Sequence, residues 1–176
     1  MKTFVTSDLH FGHTNMIKYE SRPFRDADEM DKYLIKQWNN TVSENDQVYI
    51  LGDFTLKGVD YAVTILKQLK GTKILILGNH DNFANKANFP KDIFKEIAYY
   101  KEIKYKDKNF VLCHYPIADW NGKEKGSIHL YGHIHTIDND AQKYMLSQVA
   151  KGYHCYNVGW DIKRRLFDIE EFITNE

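Results

Sequence analysis

The sequence predicts an α/β domain on three observations. Short strands alternate with amphipathic helices in the first half, strands follow one another closely in the second, and five of the strands run straight into polar residues. Residues 3 to 7, with Phe4 and Val5 between β-prone threonines, read as the first strand. A helix over roughly 26 to 41 carries Met30, Leu34 and Trp38 at four-residue spacing, with Asp26 or Asp28 at its N-terminus. Strand-like residues 47 to 51 lead to a second helix, 59 to 70, with Ala62, Ile65, Leu66 and Leu69 on one face and Gly71 placed to end it. Further Val-, Ile-, Tyr- and Phe-rich runs at 72 to 77, 97 to 105, 109 to 113, 127 to 131, 155 to 158 and 165 to 169 are strands. Their close succession predicts a hairpin-rich second sheet.

No repeat, low-complexity run or linker divides the 176 residues, so residues 1 to 176 read as one domain. With 43% hydrophobic and 14% aromatic residues the chain has the material for a buried core. Lys plus Arg and Asp plus Glu number 24 each, so no net field draws it toward nucleic acid or an anionic membrane. No apolar run is long enough to cross a bilayer. A strand-like segment stands at the start where a secretory signal would be, and the two cysteines, Cys113 and Cys155, fit a reducing compartment. A cytoplasmic protein with free thiols is expected.

The strand ends carry the chemistry. The first delivers Asp8 and His10, the next Asp53, and "LILGNHDN" delivers Asn79, His80 and Asp81; "FVLCH" ends in His114, and "LYGHIH" supplies His133 and His135. In open α/β sheets, ligands bind beyond the carboxyl ends of the strands, so residues distant in sequence converge there. Gly52, Gly78 and Gly132 precede these polar residues, as suits a sharp turn or a backbone that must come close to something bound. Carboxylates, imidazoles and an amide with no thiolate suit Mn, Fe, Zn or Ni. These side chains are too many for one tetrahedral ion, whereas two ions about 3.5–4 Å apart sharing a carboxylate fit the count. Taken singly, each block has a plainer reading: a helix cap for Asp8 or Asp53, a tight turn for "GNHD", a satisfied core histidine for His114. His133 and His135 alternate about Ile134, which in a strand would turn both to one face.

In order, "DLH" (8 to 10), "GD" (52 to 53), "GNHD" (78 to 81), His114 and "GHIH" (132 to 135) resemble the five signature blocks of the calcineurin-like metallophosphoesterase superfamily. "SDLHFGH", "RPF" at 22 to 24, "CHYP" and "YNVGWD" look most like its small stand-alone bacterial or phage phosphoesterases. The resemblance implies a four-layer sandwich of two mixed β-sheets flanked by helices. It implies one ion held by Asp8, His10, Asp53 and His135, and a second held by Asp53, Asn79, His114 and His133. Two divalent ions are thus expected, Mn first and Fe, Zn or Ni as alternatives. Asp53 would bridge them, and a hydroxide between the ions would attack phosphorus. His80 would donate a proton to the leaving oxygen, with Asp81 bonded to its imidazole. Many members carry a second aspartate three residues after the bridging one; Leu56 stands there instead.

The implied activity is hydrolysis of a phosphodiester, with a small phosphoester or nucleotide as substrate. The alternatives are a phosphomonoesterase, a nuclease, or a non-catalytic binding scaffold of the same fold. Scaffolds typically lose ligand residues, and here every ligand place and His80 are filled. Nucleic acid is not indicated by the balanced charge. His13, Arg22 and Tyr115 are candidates for contact with substrate, Arg22 through its fork of donors. His129, His154, Asp161 and residues 99 to 105 read as structural, and Lys163, Arg164 and Arg165 as a solvated basic turn.

Overall fold

The computed structural model describes residues 1 to 173. In chain order the elements are β1 (Thr3–Thr6), α1 (Thr14–Tyr19), α2 (Ala27–Thr41), β2 (Gln47–Ile50), α3 (Val59–Leu66), β3 (Thr72–Ile76), β4 (Glu96–Ala98), β5 (Tyr100–Tyr105), β6 (Lys108–Cys113), β7 (Ile128–Tyr131), α4 (Asp140–Ala150), β8 (Cys155–Asn157), α5 (Trp160–Lys163) and β9 (Phe167–Asp168). They form two mixed sheets. The first has the order β4-β3-β2-β1-β9, parallel except for β9; the second has the order β5-β6-β7-β8.

Period-two alternation along the strands builds the layers. Phe4, Val48, Ile50 and Leu75 face outward from the first sheet and pack under Met30, Leu34 and Trp38 of α2 and Ala62 and Leu66 of α3. Their neighbours Val5, Tyr49, Leu51, Ile74 and Ile76 face the other way, onto Phe110, Leu112, Ile128 and Leu130 of the second sheet. The far side of that sheet offers Val111, Tyr131 and Cys155 to Met145 of α4 and to Trp120. The order helix, sheet, sheet, helix is the four-layer sandwich expected.

Local chemistry sets the ends of the elements. The Asp26 carboxylate accepts the Glu29 amide at 2.9 Å and starts α2, as its position predicts. The Trp38 indole closes the other end by donating to the Lys70 carbonyl at 3.0 Å. The second helix stops at Leu66 and not at 70; tight turns carry the chain on and keep Leu69 buried.

Three expectations change. The run 97 to 105 is not one strand: it breaks at exposed Tyr99, β4 joining the first sheet and β5 the second. The second sheet has one hairpin, β5 with β6, while β6, β7 and β8 run parallel, because α4 supplies a crossover between β7 and β8. That helix, α1 and the short α5 are additions to the two helices expected. Met145 and Gln148 are the only buried residues of α4 and Met16 that of α1, so neither presents a full apolar stripe. Of the basic cluster, Arg165 grips Glu171 with both ends of its guanidinium at 2.6 Å, and Arg164 donates to the Ser21 carbonyl at 3.0 Å. Cys113 and Cys155 are free, and among the described residues no helix is long and apolar enough to span a membrane.

Leu112 lies fully buried between the sheets. Leu112→Ala should cost about 2–5 kcal/mol in urea unfolding, the range for emptying a leucine site in a close-packed interior.

Candidate functional site

The sequence blocks meet at one end of the sandwich, on the seam between the two sheets. Asp8 and His10 follow β1, Asp53 follows β2, and Asn79, His80 and Asp81 follow β3. From the second sheet, His114 follows β6, and His133 and His135 follow β7. Inter-strand bonds continue into these loops, from the Asp8 amide to Gly52 O at 3.0 Å, His10 to Asp53 O at 3.0 Å, and Gly132 to His114 O at 2.9 Å.

The backbone there is strained. Asp8, His10, Asp53, His133 and His135 have φ of 57°, 53°, 54°, 69° and 49°, and they make up five of the eight non-glycine residues in this region among those described. Left-handed conformations cost side-chain-bearing residues free energy and persist where surroundings enforce them, commonly at functional sites. His133 and His135 therefore reach the site from a left-handed turn and not from strand alternation; Ile134 between them packs into the third core cluster. Gly132 is required by close approach, since a Cβ would collide with the Ser7 side chain and the Asp8 carboxylate.

Two groups of donor atoms result. Asp8, His10 and His135 form one, and Asp53, His114 and His133 the other; within each, one atom per residue lies within 4.8 Å of the others. Asp53 stands between them, Oδ2 being 3.7 Å from His10 Nε2 and Oδ1 3.5 Å from His114 Nε2. In the first group, Asp8 Oδ1 is 3.9 Å from His10 Nε2 and 3.7 Å from His135 Nε2.

The donor chemistry fits a cation in each group. His10 is buried, and neither of its ring nitrogens has a hydrogen-bond partner. Burial, His135 and Arg22 push its pKa far down, so it offers a lone pair. Burial also raises the Asp8 pKa, with Asp53 adding like charge against the opposing pull of His135 and His114. His114 Nδ1 lies 2.7 Å from the Leu51 carbonyl, which can only accept, so this nitrogen carries the hydrogen. Its Nε2 lone pair then faces the oxygens of Asn79 at 3.1 Å and Asp53, three acceptors converging with no donor between them. Burial lowers the His133 pKa, with His114 next in effect. At His135 burial opposes the charged form, yet Asp161 and Asp8 outweigh it and the pKa rises.

His80 stands at the exposed lip, its side chain 38% accessible, with Nε2 3.9 Å from Asp53 Oδ2. Asp81 does not orient it, contrary to the expectation. The Asp81 carboxylate is 1% exposed and accepts three backbone amides, from Asp53 at 2.9 Å, Phe54 at 2.8 Å and Gly78 at 2.9 Å. It ties the turns after β2 and β3 together. Burial raises its pKa to about 6, against the lowering effect of those amides.

Arg22 is also not free to clamp a phosphoryl group. Its five N–H groups are taken by Asp161 Oδ1 and Oδ2 at 2.8 and 2.7 Å, the Leu9 and Asp8 carbonyls at 2.8 Å each, and Met30 Sδ at 3.3 Å. His13 and Tyr115 do line the site. The His13 ring lies 5.5 Å from that of His10, and Tyr115 packs edge-on against His114 and His133 at 4.9 and 4.7 Å. His129 is a satisfied core histidine: Nδ1 lies 3.0 Å from Val111 O and Nε2 accepts the Ile117 amide, and burial lowers its pKa to about 4. Asp161, read from sequence as structural, belongs beside the site, 3.8 Å from His135 Nδ1. Glu20 joins His135 and Asp161 in a third compact set of donor atoms and accepts the Thr136 hydroxyl at 2.6 Å.

The chain is similar to known proteins in sequence and fold. The family described as Calcineurin-like phosphoesterase matches residues 1–163. An uncharacterized protein of Methanocaldococcus jannaschii, MJ1445, is 38% identical over 146 residues, covering 82% of this chain and 75% of its own. The gene 66 protein of Mycobacterium phage L5 is 29% identical over 162 residues, 76% of this chain and 77% of its own. Among solved structures, a protein of unknown function from Aquifex aeolicus, AQ665, superposes with a TM-score of 0.75 at 26% identity, over 98% of this chain and 97% of its own. A novel archaeal phosphodiesterase shares the fold at 17% identity, with a TM-score of 0.51 over 97% and 95% of the two chains.

Because Asp81 serves two loops, Asp81→Ala leaves three amides without their acceptor. Metal-free Asp81→Ala should be roughly 3–9 kcal/mol less stable to urea than the parent, three unmatched buried groups at about 1–3 kcal/mol each. His80→Ala should leave stability within about 0.5 kcal/mol, as for a surface side chain. An Asp81 that merely oriented His80 would give near-neutral stability in both.

Proposed function

The chain belongs to the calcineurin-like phosphoesterase family, and on that premise we propose that it is a two-metal phosphodiesterase. The observation that carries the reading is the place of Asp53, whose two carboxylate oxygens face the two donor groups separately. Asp8, His10 and His135 would hold one ion, Asn79, His114 and His133 the other, and Asp53 both. Two divalent ions, Mn first among those suited to these ligands, supply charge neutralisation at the phosphoryl oxygens and an activated water.

The protein's own groups do the rest. The Leu51 carbonyl holds His114 in the tautomer that points its lone pair inward. Asp53 Oδ1 accepts the His80 amide at 3.0 Å, which sets the backbone of the proposed proton donor against the bridging carboxylate. His80 can then give a proton to the departing oxygen from the solvent side of the site. His13 and Tyr115 offer a rim without permanent charge. A diester fits that rim better than a monoester, because Arg22, the candidate clamp for a second phosphoryl charge, spends its donors internally. A small-molecule or nucleotide diester is the proposed substrate. The cytoplasm, where Cys113 and Cys155 stay reduced, is the proposed location.

Initial rates of the Mn-loaded protein on a chromogenic diester and the matching monoester test the reading, with Asp53→Asn as control. Diester turnover that exceeds monoester turnover and disappears in Asp53→Asn is expected; equal silence from parent and control would favour the binding scaffold. His80→Ala should lower kcat by roughly 10²–10⁴-fold on alkyl leaving groups, the span of general-acid catalysis. The loss should shrink on nitrophenolate, which departs without a proton. An equal loss on both would remove His80 from the proton-donor role.

A further inference from the structure

Two sequence blocks supply none of the proposed ligands, "RPF" at 22 to 24 and "VGWD" at 158 to 161. In the folded chain they meet behind the first donor group. The Arg22 guanidinium lies 4.9 Å over the Trp160 ring and makes a bidentate pair with Asp161, and both acidic and basic side chains are almost wholly buried. The other edge of the guanidinium holds the carbonyls of Asp8 and Leu9, which lie in the segment where Asp8 and His10 adopt left-handed turns. The Trp160 amide donates to the Ser7 carbonyl at 2.8 Å, one residue earlier. Asp161 Oδ2 then points at His135 Nδ1 from 3.8 Å.

That nitrogen has no hydrogen-bond partner although it is buried, while Nε2 of the same ring faces Asp8. The Asn157 amide fixes the ring's backbone from behind by donating to the His135 carbonyl at 3.0 Å. A histidine that ligates through Nε2 needs its Nδ1–H directed at an acceptor, and such acceptors hold the ring and raise its basicity. Asp161 is placed for that role, and Arg22 compensates its charge in the interior. Within the two donor groups the pair touches only the first, Arg22 at the Asp8 carbonyl and Asp161 at the His135 ring. Among the described residues, no contact of Arg22 or Asp161 reaches Asp53, Asn79, His114 or His133.

We propose that Arg22 and Asp161 are positioning residues for one ion site only, the one built from Asp8, His10 and His135, and that they set its affinity separately from that of its neighbour. This rests on the two-ion reading. The two sites are thereby unequal by construction: one ring is oriented by a backbone carbonyl, at His114, and the other by a buried ion pair.

The test is a Mn titration of the metal-free protein by calorimetry, with electron paramagnetic resonance at each stoichiometry. The parent should take up two ions and show a spin-coupled pair. Asp161→Asn, which keeps shape and removes the charge, should weaken one site by roughly 10–100-fold, the usual effect of losing an acceptor behind a ligating histidine, and leave the other unchanged. At one equivalent the variant should show isolated Mn signals. Arg22→Lys is the second variant, keeping a cation beside Asp161 but not the fork that spans Asp8 and Leu9, and it should weaken the same site. In a His135→Gln background, Asp161→Asn should have no effect on the site that remains. Two unaltered affinities in Asp161→Asn would overturn the proposal, as would equal weakening of both sites or a further loss in the His135→Gln background. A parent that binds fewer than two ions would instead remove the two-ion reading on which it stands.

Discussion

Much of the site depends on where one carboxylate goes. Asp81 lies inside the protein, receives amides from the loops after two neighbouring strands, and so fixes Asp53 against the turn that begins at Gly78. Asp53 in turn touches both donor groups and accepts the His80 amide. A buried carboxylate is costly unless charge or hydrogen bonds compensate it, and here three N–H dipoles do so. The same bonds convert two flexible loop starts into one rigid unit. Without them the His80 amide would be, among the described residues, the remaining hydrogen bond between the loop after β3 and the left-handed turn at Asp53.

The sandwich contributes in a different way. Parallel strands deliver their carboxyl ends to one edge of each sheet, and the two sheets stack through Leu51, Ile76, Leu112 and Leu130 so that those edges coincide. Three of the proposed ligands, His114, His133 and His135, come from one sheet, while Asp8, His10, Asp53 and Asn79 come from the other. The core between the sheets therefore does double duty. It supplies most of the apolar burial that the inner faces can offer, and it sets the spacing across which the two sets of side chains face each other.

The parts of this arrangement legible in the sequence are those written in local pattern. Short runs rich in Val, Ile, Tyr and Phe marked the strands before Asp8, Asp53 and Asn79, and the Asp26 cap with Met30, Leu34 and Trp38 marked α2. Polar residues directly after apolar strands located the site, because a strand end is one of the few places where such residues avoid the core. What stayed hidden was either weakly patterned or distant. Helix α4 buries so little that its periodicity is faint, and the break at Tyr99 has no proline or glycine to mark it. Arg22 looked like an exposed clamp and Asp161 like a bystander because their partnership spans 139 positions. Asp81 was assigned to its neighbour in sequence, His80, when its partners are backbone groups, which every residue carries and no sequence pattern reveals.

The origin of the ligands on two sheets has a thermodynamic side. An ion held by Asp53 together with His114 and His133, as proposed, would act as a crosslink across the seam, a staple that neither sheet can complete alone. By mass action, whatever binds only the docked arrangement stabilises it by RT ln(1 + [L]/Kd), about 2.7 kcal/mol at a hundredfold excess over Kd. Chelation would then slacken the joint between the layers while leaving each sheet's own hydrogen bonds intact. On the two-ion reading, cofactor supply and structural integrity would become a single variable, and a chain starved of divalent ions would lose rigidity first along the seam between the sheets.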